Sequence, residues 1–73
     1  MISIIIPTLN EERGIVATIN SIPKHIRDEN EIIVVDVSSD KTPEIAKSLG
    51  TIVLRPTQKG KGFQMRYGVE NSK

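Results

Sequence analysis

The chain has 73 residues, a formal net charge of +1 and no cysteine; this leaves room for one unit, removes disulfides and cysteine metal sites as supports, and offers no bulk attraction to nucleic acid or an anionic membrane. With 37% hydrophobic and 26% charged residues it is too apolar for a disordered chain, yet a chain this short buries only about 60% of the surface its unfolded form exposes, so its core is small. The apolar run Ile4–Ile6 near the N-terminus is far too short to cross a bilayer and no secretory signal is evident, so cytoplasm, or the cytoplasmic face of a membrane, is the expected setting.

Met1 to Ile6 reads as a buried strand that Pro7 ends. Asn10 is a suitable helix N-cap, with Glu11 and Glu12 where the helix dipole favours negative charge. Ile15, Val16, Ile19 and Ile22 then share a helical face, and Pro23 closes the helix. Lys24 to Asn30 is read as a polar loop. Glu31–Val35 is a second buried strand, rich in β-branched residues and ending in Asp36. Thr42 is expected to cap the next helix, with Pro43 at its first position, Ile45, Ala46 and Leu49 on its apolar face and Gly50 at its end. Thr51–Leu54 is a third strand, and Arg55 to Gly62 a basic loop with glycines. Phe63 to Asn71 follows as a helix, with Met65 and Val69 four residues apart.

Strand–helix alternation of this kind gives an α/β fold with a parallel sheet and helical crossovers. Because crossovers are right-handed, two successive ones in one direction order the strands 3-2-1. Open parallel sheets bind ligands beyond the C-terminal ends of their strands, where three segments meet: Pro7 to Glu11, Asp36 to Asp40, and the loop 55–62. A carboxylate at a strand end can accept from a base N–H or from ribose hydroxyls, and lysines beside small glycines suit a diphosphate. Each feature also has an ordinary reading. Asn10-Glu11-Glu12 is a normal helix start, Asp40 a turn or cap residue, and Lys59-Gly60-Lys61-Gly62 a solvated loop without the Walker spacing. His25 reads as exposed, and Phe63 and Tyr67 as core.

Taken together the segments resemble a family. Ser3-Ile4-Ile5-Ile6-Pro7-Thr8-Leu9-Asn10-Glu11-Glu12 looks like the opening of the inverting family-two glycosyltransferases, among them the dolichyl-phosphate mannose and glucose synthases. Glu31 to Asp36, followed by Ser38, Ser39, Asp40 and Thr42, is similar to their second strand and its aspartate-rich turn. Pro43 to Lys47, then Lys59 to Gly62 with Arg66 and Gly68, continue the match in order along essentially the whole chain. The resemblance implies a three-layer, Rossmann-like half of a GT-A fold. It places Pro7, Leu9 and Glu11 against the base and ribose, Val35 and Asp36 on the opposite wall with Asp36 making the polar contact, and Lys61 near the diphosphate or sugar.

Two departures stand out. Relatives often carry a second Asp or a Gly after the first Asp, then Gly-Ser; here Val37 and Ser38 stand instead and the turn is one residue shorter. Beyond Lys73 the family pattern continues into a strand with an Asp-x-Asp metal motif, and later a catalytic base. Residues 1–73 are therefore expected to form the nucleotide-binding N-terminal portion of a larger domain, with no catalytic residue, cofactor or metal ligand of their own. Mg or Mn belongs to the expectation for the complete enzyme. The expected partner is a GDP- or UDP-linked sugar, with a lipid phosphate as acceptor class, only indirect membrane contact and no nucleic acid. A homo-oligomer through the first strand or the C-terminal segment is also expected. The competing reading is a self-standing, non-catalytic α/β binding or assembly module, ahead of an unrelated flavodoxin-like piece that leaves Pro7–Glu12 unexplained.

Overall fold

A computed structural model describes residues 2–72. In chain order the elements are β1 (Ser3–Thr8), α1 (Ile15–Asn20), α2 (Lys24–Glu29), β2 (Glu31–Asp36), α3 (Thr42–Ser48), β3 (Ile52–Leu54) and α4 (Lys61–Glu70). The three strands form one parallel sheet with β2 in the middle. β1 pairs with β2 from Ser3↔Glu31 to Thr8↔Asp36, and β2 with β3 from Ile33↔Ile52 to Val35↔Leu54. The expected 3-2-1 order is the observed one; the expected strand start at Met1 lies outside the described residues.

Alternation along the strands distributes side chains between two faces. Ile6, Val34 and Val53 share the face that meets Ile15 and Ile19 of α1 and Ile45, Ala46 and Leu49 around α3; this is the main core. The other face carries Ile5 and Val35, which lie against Gly68 of α4. The sheet is thus the middle layer of three. Its central strand is buried on both sides from Ile32 to Asp36, which is why a continuous run of β-branched residues suits it.

Several local expectations are corrected. Lys24–Glu29 is a helix rather than a loop, opened by Pro23 and closed by Asn30, whose Nδ2 donates to the Ile26 carbonyl at 2.9 Å. It fully buries no residue, and with Ile26 as its one apolar side chain, half-buried, it leaves no periodic apolar signature in the sequence. The first helix begins at Ile15, not after Asn10: a turn closed by Gly14 N–H and Ile15 N–H onto the Glu11 carbonyl (3.0 and 2.8 Å) precedes it, and Asn10 is left-handed with φ 53°. Ile15 and Ile19 are buried while Val16 is 42% exposed, since a residue one step from the buried stripe is turned about 100° away. Thr42 lies inside α3, and its own N–H, the first of the helix, is served by Asp40 instead. Thr51 precedes β3 and bonds the Ala46 carbonyl through Oγ1 at 2.8 Å.

The largest correction concerns the last helix. Lys61 belongs to it rather than to the preceding loop. Met65 and Val69 point outward, 41% and 59% exposed, and the buried stripe is Gln64 and Gly68. A glycine on the inner face lets the helix backbone approach the sheet more closely than any side chain would allow. Phe63 and Tyr67 are half-buried and pack on each other, ring centroids 5.9 Å apart. No helix among the described residues is long and apolar enough to cross a membrane.

Candidate functional site

The sheet brings the ends of β1 and β2 side by side, and the loops that leave them are stitched together by side-chain hydrogen bonds. Asp36 stands at the centre. Its carboxylate is fully buried, and Oδ1 accepts from the Thr8 hydroxyl at 2.6 Å and the Ser38 hydroxyl at 2.5 Å. Oδ2 accepts from the Ser38 N–H at 3.1 Å and faces the Arg55 Nε at 3.4 Å. Arg55 also donates through Nη2 to the Ser38 carbonyl at 2.6 Å, tying the exit of β3 to the same turn.

Further out the stitching continues. The Asn10 N–H donates to the Ser38 hydroxyl at 2.7 Å, and the Ser39 N–H returns a bond to the Asn10 Oδ1 at 2.9 Å. The Glu11 N–H donates to the Thr42 hydroxyl at 2.8 Å, the Glu12 N–H to the Asp40 Oδ2 at 3.2 Å. Thr42 donates both its N–H (2.9 Å) and its hydroxyl to the Asp40 Oδ1. The loop after β1 and the loop after β2 are thereby held to each other without regular secondary structure, which is what a pre-formed binding loop requires.

Burial raises the Asp40 pKa, but the Thr42 hydroxyl, the Thr42 N–H and the Glu12 N–H together outweigh it and hold the carboxyl below its ordinary 3.8. A group whose folded value is depressed stabilises the fold fully above its unfolded pKa, and that stability is lost as pH falls through the folded value. The clasp is therefore expected to loosen as pH drops below 3.8. Unfolding midpoints measured across acid pH would check this: the wild type should lose more stability there than Asp40→Asn, and equal slopes would assign the acid sensitivity elsewhere. Asp28 is lowered too, by its hydrogen bond from Lys24 at 2.6 Å, but that pair is exposed and contributes little.

Against this scaffold lies a hollow of about 150 Å³ lined by Pro7, Thr8, Leu9, Glu11, Gly60, Lys61 and Gln64. Four of the six residues singled out from the sequence (Pro7, Leu9, Glu11 and Lys61) meet there. Leu9, Glu11 and Lys61 are exposed, and the Glu11 carboxylate takes part in no hydrogen bond or ion pair among the described residues. Val35 and Asp36 do not line the hollow. Both lie beneath it, fully buried, and the Asp36 carboxylate is turned inward to the turn it organises. A larger and more polar hollow of about 520 Å³ adjoins, lined by Asn10 to Gly14 and Asp40, with Glu11 on both rims.

Sequence reasoning missed Gln64 and Arg55. Gln64 is buried, and its Nε2 donates to the carbonyls of Val35 at 2.8 Å and Thr8 at 3.1 Å while its Oε1 accepts from the Gly60 N–H at 3.3 Å. Gly60 has φ 127°, a conformation in which a side chain is strained. The available signal was the spacing of Gly60, Gln64 and Gly68, which places a small or polar residue at every fourth position from the N-cap of α4 onward. Among the described residues no three His, Cys, Asp or Glu side chains converge to hold a metal ion.

Comparison with known proteins gives a consistent result. The family described as Glycosyl transferase family 2 matches residues 3–73. The low-salt glycan biosynthesis hexosyltransferase Agl6 of Haloferax volcanii is 42% identical over 72 residues, covering 94% of this chain and 17% of that protein. A dolichyl-phosphate hexose transferase of the same organism is 31% identical over 68 residues, covering 93% of this chain and 30% of that protein. Among solved structures, the mannosyltransferase PcManGT from Pyrobaculum calidifontis in complex with GDP-Man and Mn2+ superimposes with a TM-score of 0.84 over 99% of this chain and 24% of its own, at 24% identity. That likeness establishes the Rossmann-like GT-A arrangement of strands and helices. The chain spans less than a third of the length of each of these relatives.

Proposed function

The chain belongs to glycosyl transferase family 2, and from that footing we propose that it forms the nucleotide-recognising portion of a hexosyltransferase that uses a GDP- or UDP-linked sugar. The observation that carries this reading is the convergence of Pro7, Leu9, Glu11 and Lys61 on one hollow beyond the C-terminal ends of β1 and β2. In it, Pro7 and Leu9 offer an apolar edge to the base, the free Glu11 carboxylate accepts from ribose hydroxyls or a base N–H, and Lys61 with the first N–H groups of α4 faces the diphosphate. Val35 and Asp36 act from below, fixing the wall against which the ligand rests. The names of the relatives support the reading: two are hexose transferases, one acting with dolichyl phosphate, and the structural neighbour holds GDP-Man and Mn2+. Lipid phosphate is the acceptor class we propose for the whole protein. The described residues offer no cluster for a divalent cation, so no metal-dependent step is assigned to them.

Titration of the chain with GDP and UDP, followed by amide chemical shifts, tests the site. Shifts are expected at residues 7–11 and around Gly60 and Lys61, with Lys61→Met weakening the diphosphates about tenfold and leaving the nucleosides unaffected. Unmoved amides in both segments at millimolar ligand would remove the site from consideration.

We also propose that β1 mediates self-association. Among the described residues it pairs on one side only, and Ile2 ahead of it is 63% exposed. The strand carries no lysine or bulge, and its one proline, Pro7, sits near its end, so little guards its free edge against pairing with a second copy or receiving an exchanged C-terminal segment. Sedimentation at rising concentration should show a dimer; a monomer throughout, with slow amide exchange along Ile4–Ile6, would overturn the proposal.

A further inference from the structure

We propose that Gln64 is a positioning residue that locks the two walls of the hollow into one geometry, so that ligand affinity there depends on its carboxamide. This rests on the nucleotide reading above for the identity of the ligand, but not for the coupling itself. One wall is the end of β1 and its loop, from Pro7 to Glu11; the other is Gly60 and Lys61 at the start of α4. The Gln64 amide is the group that touches both. Its two N–H protons are used on the carbonyls of Thr8 and Val35, and its oxygen takes the Gly60 N–H. That use of donors and acceptor also fixes the amide's orientation, since a flipped group would set its oxygen against two carbonyl oxygens.

The contacts reach to either side of the site. The Thr8 carbonyl also accepts the Val37 N–H at 3.2 Å, so Gln64 joins α4 to the junction between β1 and the turn after β2. Val35 immediately precedes Asp36, the hub of the loop network. A residue needed only to fill space would have been apolar, like its neighbours on the sheet face. At 3% exposure, a carboxamide is retained only where its polar atoms are all paired.

Gln64→Glu provides the decisive test, read by amide shifts and by GDP titration between acid and neutral pH. Ionised, the introduced carboxyl faces two carbonyl oxygens and has no proton to give; protonated, it regains one donor. The titratable groups around this position are Glu11 and Lys61, which line the same hollow, and Asp36, which follows Val35; all three are present in the wild type, which serves as the control. In the variant, the amides of Leu9, Glu11 and Gly60 should move together with one midpoint absent from the wild type. GDP affinity should be about tenfold weaker on the ionised side and recover on acidification. Gln64→Met, which keeps size and adds no charge, should weaken GDP to a similar degree at every pH while remaining folded by circular dichroism. Should the glutamate variant fail to fold, equal affinity of the methionine variant and the wild type would overturn the proposal, and a tenfold loss would support it. Movement of only one wall, or of neither, would also overturn it. A wild type that binds no GDP while both walls titrate together would refute the nucleotide reading and leave the coupling supported.

Discussion

Asp36→Ala is expected to destabilise the chain by about 2–4 kcal/mol and to abolish ligand binding with it. The carboxylate is fully buried and serves four groups: the Thr8 and Ser38 hydroxyls, the Ser38 N–H and the Arg55 guanidinium. Truncation leaves these donors around a void, and each buried donor left unpaired costs about 1–3 kcal/mol. Two circumstances reduce the total. Hydroxyls can turn towards other acceptors, and the Arg55 side chain is 53% exposed, so water can replace its lost partner. The upper figures for a severed buried ion pair therefore do not apply. Even so, a chain of this size has only roughly 4–11 kcal/mol of stability in total, so the loss is a large share of it.

The value of this variant is that it separates two roles for the same residue. If Asp36 chiefly contacted the ligand, its removal would weaken binding and leave the unfolding midpoint unchanged. Its inward-turned carboxylate points to the opposite pairing, with stability and binding lost together and the amides of Asn10 and Ser39 shifted in the unliganded chain. Chemical denaturation followed by nucleotide titration gives both numbers. An unchanged midpoint would contradict the structural role assigned to Asp36.

The layout of the sheet was legible because the features that set it are local and periodic. Ile32–Val35 is an unbroken β-branched run, which suits a strand buried on both faces, and the handedness of crossovers then orders the strands. The segments holding Pro7, Leu9, Glu11 and Lys61 were legible because the ends of parallel strands share one edge, while the individual residues were singled out by the resemblance to family-two glycosyltransferases. Other features depend on partners distant in sequence. Ser38 is a local partner of Asp36, but nothing near Asp36 reveals that Thr8 and Arg55 will join it in enclosing the carboxylate, and an acidic strand end reads as outward-facing until they do. Lys24–Glu29 is a helix with a single apolar residue, Ile26, and so no apolar stripe to announce it. In α4, Met65 and Val69 obey helical spacing, yet the sheet takes the Gln64 and Gly68 side. Close backbone approach and two strand-end carbonyls decide that choice, and hydrophobicity does not.

Gly68→Ala puts that last point to the test, with an expected loss of about 1–2 kcal/mol. A Cβ at Gly68 would stand 2.6 Å from the Ile5 Cγ2, 3.0 Å from the Val35 Cγ2 and 3.4 Å from the Ile5 Cδ1. In an exposed helix the same change would stabilise by about 1 kcal/mol, since alanine is the better helix former. Steric crowding opposes this. The nearest methyl branches directly from the Ile5 Cβ, on a strand held in register with β2, so it cannot swing aside as the end of a long side chain would. Val35, in the central strand, is fully buried. Overpacking of this kind costs about 1–3 kcal/mol, more than the helix gains, and Gly68→Val should cost more still. Adding Ile5→Ala removes both offending Ile5 methyls, so the double variant should be more stable than the sum of the two single losses predicts. A coupling of about 1 kcal/mol in that cycle would show α4 seated against β1 through this glycine. Strict additivity, or a Gly68→Ala chain more stable than the wild type, would mean that the helix sits farther from the sheet, and the Gln64 bonds to Thr8 and Val35 could not then form as described.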